Sequence, residues 1–582
     1  MMPALLALFT SGVAWTWRFL VSSYRYELVV PPGGWICIAF LLYLAISIPL
    51  TEIPYEAGQQ WFRFAGYTLM YWMLTNLLRI QHRWRWMMIV LMLSVSLMAF
   101  YAIFQEVQGT RMAVLAERHD DYGMRASGAY ICPNHFAHLL HMVILSGLGI
   151  IFARRSGVAT KLFAGYALLV GLYPLFLSLS RAGWIGLMVG LVTFALALAL
   201  RHSWRRFALM MILAPLLVGA AGFAIWKVSP KVQMRVTQAI QGDVRIPLWK
   251  DSLNIALDAP VFGHGLGSYR HMYPAYHEHM AANRDPEFAH NDYLHFWGEI
   301  GLIGMLLIGA AIMALIWRAL RVLLKTQDQG HAAIMAGLLA MVMGTAAHTF
   351  FDFNFNIFGN VQVYLLITAA LIAATPEPGV DRFLKVQGAR YRRIGVVLMF
   401  GLIVMIGLYI RYTASYFHEK TGKEAAEASE FDIAHDQLES ALTWAPANWR
   451  AHLAAGHLRR VQALSGAVSE SQRPELVNEG VYHYQLALDG NPWSADALYG
   501  MGTMERLQGN QEAALVWFQA AVDRAVRYAY YRYALADQLR NMGRLEEALA
   551  EYQAAMKLDP TPIGGMNIRL IQRRLNSLRS GT

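Results

Sequence analysis

The stretch HNDYLHFWGEIGLIG, residues 290–304, joins a polar start to a long apolar run. The ordinary pKa of a histidine is about 6.5, so the neutral imidazole of His290 can accept a proton from a hydroxyl group near neutral pH. Asn291 is suited to cap the helix that follows, and Gly301 and Gly304 permit close approach of another membrane helix. Two interpretations stay open from these residues alone: His290 is a general base, or it only starts the helix together with Asn291.

Arginines at the ends of other apolar segments are candidates to bind an anionic group. Arg181 lies in SLSRAGW between two apolar runs, and Arg245 and Arg270 belong to the long polar segment before His290. A guanidinium group binds phosphate oxygens in pairs and stays charged at all physiological pH values. Several of them beside an apolar slot would suit a lipid diphosphate without a metal ion. For any single arginine, snorkelling at the membrane interface is the alternative.

The polar segment is also rich in histidine, which raises the question of a zinc site. GHGLGSYRHMYPAYHEH supplies His264, His271, His277 and His279. Their spacing matches neither HExxH nor a similar helical pair of zinc ligands. The sequence therefore predicts no metal and no other cofactor.

Membrane helices must position these residues. Of the 582 residues, 56% are hydrophobic and only 15% are charged, which is typical of a protein that crosses the membrane many times. We predict an all-α fold, with a bundle of eleven transmembrane helices, or twelve if the first segment spans, followed by a soluble α-solenoid. The predicted spans are 4–20, 35–51, 64–79, 86–105, 135–153, 161–179, 182–200, 207–226, 293–317, 332–350, 358–375 and 394–411.

Positive charges alternate from one short loop to the next. Lys and Arg are dense in the loops after 79, 153, 200, 317 and 381, and the intervening loops have mixed charge. The positive-inside rule places the basic loops in the cytoplasm. The large loop 228–292 and everything after residue 411 are then periplasmic. Because this topology accounts for the net charge of +10, we predict membrane lipids and no nucleic acid as partners.

The last part of the chain repeats itself with a period of 34 residues. LQGNQEAALVWFQAAV and NMGRLEEALAEYQAAMKLDP align with small residues in register: Gly509 with Gly543, Ala514 with Ala548, and Ala521 with Ala555. This period resembles tetratricopeptide repeats, in which paired helices stack into a concave surface that binds a protein or peptide. We predict a membrane domain over 1–411, a linker over 412–423 and a repeat domain over 424–582.

Several stretches resemble, in the usual order, the motifs of bacterial O-antigen ligases and protein O-oligosaccharyltransferases. They are RASGAY…PNHFA, SLSRAGW, VRIPLWKDSLNIALDAPVFGHGLGSY, the spacing of His290-Asn291 to Gly301 and Gly304, and HTFFDFNFN. The resemblance covers roughly residues 60–375. It extends to a superfamily that includes O-antigen and exopolysaccharide polymerases, and it does not separate the members.

The resemblance implies a metal-independent glycosyltransferase in the bacterial inner membrane. Such an enzyme takes a glycan from an undecaprenyl-diphosphate carrier at the periplasmic face, with inversion at the anomeric carbon. By motif position His290 corresponds to the base, and Arg181 and Arg245 correspond to residues that bind the donor diphosphate. Arg270 is assigned the same role, although its surroundings are richer in histidine than the motif.

Other parts of the resemblance assign less. His348 and Asp352 match the HTFFD element without a distinct role. The acceptor stays open among a lipid, a glycan and a protein, because the repeat extension is absent from the best-known ligases. Two other classes of function also remain: a transporter or flippase of a lipid or polysaccharide, and a non-catalytic scaffold of a polysaccharide assembly complex. The spans hold few ionisable residues, and an anchor needs only one span, which argues against both.

Overall fold

The structure, a computed structural model, describes most of the chain. The described residues are 2–21, 26–114, 116–118, 122–123, 125–153, 157–201, 245–280, 286–386, 389–465 and 469–580, with isolated positions between 202 and 244. The predicted span 207–226 and the first part of the loop 228–292 lie largely outside these residues.

The first part of the chain is helical, so the predicted all-α class is confirmed. Its helices are α1 (Met2–Val21), α2 (Gly34–Ser47), α3 (Pro54–Leu77), α4 (Arg83–Gln108), α5 (Pro133–Phe152), α6 (Val158–Leu177), α7 (Arg181–Ala199), α8 (Arg245–Asp258), α9 (Tyr269–Tyr276), α10 (Asp292–Lys325), α11 (Gln329–Thr349), α12 (Phe358–Ala374) and α13 (Ala389–Glu427). Short 3-10 helices cover Ile48–Leu50, Ile80–His82 and Asn354–Asn356. Two small antiparallel sheets pair β1 (Tyr26–Val30) with β4 (Arg382–Val386), and β2 (Met112–Ala113) with β3 (Ala116–Glu117).

Eight helices in the described ranges are long and apolar enough to cross a membrane: α1, α4, α5, α6, α7, α10, α11 and α13. Two shorter apolar helices, Gly34–Leu50 and Phe358–Ala374, correspond to the predicted spans 35–51 and 358–375. The predicted span 64–79 falls mostly in the second half of α3, whose first half carries the buried Glu56 and Arg63. The chain is thus a multi-pass membrane protein.

Helix α11 lies at the centre of the bundle, packed between α5 and α7. Glycines set this packing, because a Cβ added to Gly149 of α5 would lie 2.8 Å from the carbonyl oxygen of Ala333 in α11. A Cβ added to Gly186 of α7 would lie 2.8 Å from the carbonyl oxygen of Gly344 in α11. Both contacts bring two helix backbones together, which only glycine permits at these distances.

The segment 412–423, which the sequence predicts as a linker, is instead helical and forms part of α13. Two of its polar residues, Ser415 and Glu419, are buried against the start of the repeat domain. Asn448 donates from Nδ2 to Ser415 Oγ at 2.9 Å and to Glu419 Oε2 at 3.1 Å. In the structure the segment is thus a packed helix in which these polar residues satisfy one another.

The C-terminal part is a row of antiparallel helix pairs. It comprises α14 (Phe431–Trp444), α15 (Trp449–Leu464), α16 (Arg473–Gly490), α17 (Ala495–Leu507), α18 (Gln511–Arg524), α19 (Ala529–Asn541), α20 (Leu545–Leu558) and α21 (Pro562–Ser580). Consecutive helices pack on one another along the row, as expected for a solenoid.

The residues that define the 34-residue period have the structural roles expected of them. Ala514, Ala521 and Ala548 are completely buried between paired helices. Gly509 and Gly543 follow α17 and α19 with φ of 88° and 78°, a left-handed conformation that ends a helix and favours glycine.

Candidate functional site

His290 lies in the tight turn that begins α10. Its φ is 48°, an uncommon conformation for a residue with a side chain. Asn291 caps the helix, since its Oδ1 accepts hydrogen bonds from the backbone of Tyr293 at 3.0 Å and Leu294 at 3.2 Å. The imidazole of His290 packs edge-on against Phe353, with ring centroids 4.7 Å apart, and remains 35% exposed. A substrate hydroxyl can therefore reach it.

Gly301 breaks α10 where the sequence predicts a helix-packing position. Its φ of 63° and ψ of −175° are outside the helical region. The loop 260–265 fills the break, with His264 N donating to Gly298 O at 2.9 Å and Gly265 N donating to Glu299 O at 2.8 Å. Leu302 N donates back to Pro260 O at 2.9 Å. Gly301 is needed for this loop contact, whereas Gly304 contacts Ile300 of its own helix. Close approach of a second helix therefore does not explain the spacing of Gly301 and Gly304.

Replacing Gly301 by alanine is expected to destabilise the protein by about 2–3 kcal/mol, because its backbone conformation is essentially restricted to glycine. The added Cβ would also lie within 2.3 Å of the carbonyl oxygen of Val261. The melting temperature of the detergent-solubilised protein measures this effect. Gly309→Ala is the matched control, because it lies in the same helix with open space around an added Cβ. Equal melting temperatures for the two variants would contradict the assigned role of Gly301.

Asp352 lies directly behind His290. Its Oδ1 is 3.5 Å from Nδ1 of His290, and the carboxyl group is completely buried. Burial by itself raises the pKa of Asp352. The contact with His290 and the charges of His135 and Arg245 outweigh this effect, so the pKa of Asp352 is well below its ordinary value. A carboxylate facing Nδ1 favours the tautomer with a proton on that nitrogen. Nε2 of His290 is then left to accept a proton.

Further histidines continue from Asp352 into the bundle. His135 and His348 approach its two carboxyl oxygens, each at 3.9 Å. His348 in turn contacts His141, with 3.0 Å between Nδ1 and Nε2. The ring of His138 packs edge-on against both His141 and His348. We refer to His135, His138, His141 and His348 as the histidine cluster; it fixes the surroundings of Asp352.

Residues of the HTFFDFNFN stretch also donate hydrogen bonds to Asp292, the carboxylate two residues after His290. Asp292 Oδ2 accepts from Phe355 N at 2.9 Å, and its Oδ1 accepts from Asn356 Nδ2 at 3.2 Å. Arg63 of α3, which is almost completely buried, donates to the carbonyl and side-chain oxygens of Asn356 at 3.4 and 3.3 Å. Asp292 is therefore occupied in joining α10 to the segment around Asp352.

The structure brings Arg245 and Arg181 to this end of the bundle. Arg245 is the first residue of α8, and its charge acts on Asp352. Arg181 is the first residue of α7, after the cap residue Ser180. Gly186 lies five residues further along α7, about 7 Å from Arg181 along the helix axis. A Cβ on Gly186 would lie 3.3 Å from the Cβ of His348, so Arg181 begins its helix within a short distance of the histidine cluster.

Arg270 has a different environment from the other two arginines. It is 40% exposed and contacts Glu56 of α3 at 3.3 Å. Glu56 is also 2.5 Å from Arg450 of the repeat domain and 3.9 Å from His271. Arg270 therefore lies where the loop meets the repeat domain.

An apolar cavity of about 230 Å³ opens beside the turn. Asp292, Tyr293 and Phe296 line its end at α10. Its other walls come from α2, α3, α11 and α12, including Phe40, Tyr67, Tyr71, Val342, Thr345 and Tyr364. The cavity can accommodate an apolar chain that approaches His290 from within the bundle.

The histidines of the polar segment have separate partners. His279 Nδ1 is 2.6 Å from Asp251, His264 Nε2 is 3.0 Å from the carbonyl of Ile255, and His277 Nε2 is 3.2 Å from that of Met280. In the described part of the chain, no group of three or more His, Cys, Asp or Glu side chains is arranged to hold a metal ion.

Two other polar residues of this region, Arg63 and Arg125, bind the turns around the site. Arg63 stands between a loop of mixed charge and the predicted span 64–79, and no motif marks it. Arg125 donates to Ser178 O at 2.7 Å and to Asn134 Oδ1 at 2.6 Å, so it ties the turn before α7 to the start of α5. Its position in RASGAY, next to PNHFA, was the available signal.

Comparison with known families assigns two regions. Residues 166–309 match the family model described as O-antigen ligase, a range that includes His290 and Arg181. This region is thus similar to O-antigen ligases. Residues 529–562, which include α19 and α20, match a tetratricopeptide repeat. The ligase region supports a role in glycan transfer in the general sense.

Comparison with solved structures finds repeat proteins. The crystal structure of MamA is 20% identical, with 28% of this chain and 81% of that chain covered and a TM-score of 0.23. A thermophilic TPR protein of Thermus thermophilus, TTC0263, is 16% identical over 31% of this chain and 93% of that chain, with a TM-score of 0.25. Yeast Tom70 is 13% identical over 72% and 92%, with a TM-score of 0.21. No curated protein matches the chain.

Proposed function

We propose that the protein is an inverting glycosyltransferase that moves a glycan from undecaprenyl diphosphate to an acceptor hydroxyl. The reaction would take place at the periplasmic face of the bacterial inner membrane, in surface polysaccharide or glycoconjugate synthesis. The observation that carries the proposal is the His290–Asp352 pair, with the charge of Arg245 acting on Asp352 and an apolar cavity that begins at Asp292, two residues after His290. The ligase match over 166–309 supports it.

The donor would enter with the first isoprene units of its polyprenyl chain in the apolar cavity and its diphosphate outside, at the end of the bundle where α7, α8 and α10 begin. Arg181 and Arg245 would bind the diphosphate, whose negative charge increases as the sugar leaves. Arg270 is not included in this role, because its contacts are with Glu56 and His271.

The transfer itself would be a single displacement. Nε2 of His290 takes the proton of the acceptor hydroxyl as that oxygen forms a bond to the anomeric carbon. The bond from the anomeric carbon to the diphosphate breaks, and its electron pair leaves with undecaprenyl diphosphate. Asp352 holds the imidazole in the required tautomer and stabilises its protonated form.

A reconstitution assay tests the proposal. The purified full-length protein, mixed with lipid-diphosphate-linked glycan from the native host and host membranes as the acceptor source, is expected to release free lipid diphosphate. NMR of the product should show the opposite anomeric configuration to that of the donor. Release of intact donor on the other side of a vesicle, with no change in its glycosidic bond, would favour a flippase instead.

The repeat domain is proposed to recruit a protein partner through its concave surface, as tetratricopeptide repeats commonly do. Such a partner is compatible with a lipid, glycan or protein acceptor.

A further inference from the structure

A polar cleft of about 650 Å³ lies between the loop before His290 and the start of the repeat domain. One wall is formed by the loop, with Arg270, His271 and Glu287. The other is formed by the end of α13 and by Arg450 of α15. The cleft therefore exists only because the repeat domain is docked on the membrane domain.

The α13 wall is one face of a helix. Tyr416, Lys420, Lys423 and Glu427 follow one another at intervals of three and four residues, so they line the same side. The opposite side of this helix packs against α14, where a Cβ on Gly422 would lie 2.9 Å from Leu438. The apolar face is thus covered and the polar face is turned to the cleft.

The cleft reaches the turn that carries His290. Glu287 lines it, and three peptide units separate this residue from His290, which limits their Cα atoms to about 11 Å. Phe288, the next residue, stacks on Phe353 with ring centroids 4.4 Å apart. His290 packs on the same Phe353 ring at 4.7 Å. A molecule held in the cleft can therefore extend a group to His290.

The charges of the cleft balance. Its cations are Arg270, Lys420, Lys423 and Arg450, and its carboxylates are Glu287, Glu419, Glu424 and Glu427. His271 adds no positive charge near neutral pH, because burial, opposed in part by Glu56, lowers its pKa to about 4. Such a lining does not select a polyanion, which needs an excess of cations.

The same side chains fit hydroxyl groups. Each carboxylate accepts and each ammonium or guanidinium group donates, so together they satisfy vicinal hydroxyls, which do both. Tyr416 is 37% exposed and adds an aromatic ring. The lining offers no set of apolar pockets of the kind that anchors a peptide helix or strand.

We propose that this cleft is the acceptor site of the transferase and that the acceptor is a glycan. The assignment rests on the proposed function and adds to it the class of acceptor. It also gives the end of α13 and the repeat domain a direct part in the site, through Lys420, Glu424 and Arg450. The donor chain and the acceptor would thus occupy two different spaces, the apolar cavity and the polar cleft, that both adjoin the His290 turn.

The test is a binding measurement on the full-length protein in nanodiscs. The probe is the oligosaccharide released by mild acid from the surface glycan of the native host, free of lipid and diphosphate. The double variant Lys420→Ala/Glu424→Ala removes an ion pair of 3.6 Å whose members are 61% and 60% exposed. It is expected to weaken binding of the oligosaccharide about tenfold. The matched control, Gln485→Ala/Asp489→Ala, removes an exposed pair of the same spacing in α16 and should bind like the wild type.

The acceptor site is overturned if the wild type does not bind the oligosaccharide or if the Lys420→Ala/Glu424→Ala variant binds it as tightly as the wild type. It is also overturned if a photo-crosslinker placed at position 420 captures a polypeptide in place of a glycan. The same titration with His290→Ala separates this proposal from the proposed function. That variant should bind the oligosaccharide normally while it fails to transfer glycan. If it transfers normally, the proposed chemistry is wrong even where the cleft binds glycan.

Discussion

His290→Ala is expected to lower kcat for glycan transfer about 10³-fold, the typical contribution of a positioned general base. The imidazole is the group that Asp352 orients at 3.5 Å, and it is exposed enough to meet a substrate. KM for the donor should change little, because the proposed diphosphate and chain contacts lie on Arg181, Arg245 and the cavity. Lipid-linked glycan should accumulate in cells that carry the variant, and extraction of this intermediate measures the block.

Two further variants make the result interpretable. His290→Asn keeps a residue that tolerates the left-handed backbone of this position and should be as inactive as His290→Ala. His331→Ala removes a histidine that is 4.0 Å from a carboxylate of Glu377 near the first turn of α11, and it should transfer at the wild-type rate. Wild-type transfer by a correctly inserted His290→Asn protein would rule out His290 as the base.

The membrane helices and the repeats could be predicted because each has a strong local signal. The length of an apolar run shows directly whether it can span the membrane, and Ala514 and Ala521 recur 34 residues later as Ala548 and Ala555. Their burial follows from the same regularity. The membrane helices and the repeats depend on residues that are close together in the sequence, so a single sequence is enough to predict them.

The loop that fills the break in α10 could not be predicted in this way. Its backbone hydrogen bonds join His264 and Gly265 to Gly298 and Glu299, which are more than thirty residues away along the chain. The spacing of Gly301 and Gly304 matches a helix-packing pattern as well as it matches a break in the helix. The hydropathy of an interrupted helix is the same as that of a continuous one. Only the left-handed φ of Gly301 distinguishes the two.

The candidate site was predicted in part for the same reason. His290 and Arg181 stand at the ends of apolar runs, where position along the chain already indicates a membrane surface, and Arg245 lies in the polar segment between two predicted spans. The role of Asp352 depends on a contact across sixty-two residues with His290, and the site of Arg270 depends on Arg450 of the repeat domain through Glu56. The spacing of residues along the chain indicates neither the contact of Asp352 with His290 nor that of Arg450 with Glu56.

Asp352→Asn is expected to reduce kcat by about 10²–10⁴-fold with little change in KM, as when the orienting aspartate of a catalytic triad is changed. The amide has nearly the volume of the carboxyl, and its oxygen can keep the hydrogen bond from Phe353 N, now 3.0 Å. That oxygen takes the place of Oδ1, which also faces Nδ1 of His290 at 3.5 Å, but the neutral amide no longer supplies the negative charge that stabilises the protonated imidazole. Without this charge the imidazole accepts the proton of the acceptor hydroxyl far less readily.

Asp251→Asn is the matched control, because Asp251 is another completely buried aspartate with a histidine partner, His279 at 2.6 Å. Loss of this pair should lower the melting temperature and leave kcat of the folded protein unchanged. Asp352→Asn should show the reverse, a small change in melting temperature and a large fall in kcat. If both variants lose activity only in proportion to the folded protein that remains, Asp352 serves the fold and the orientation of His290 has another source.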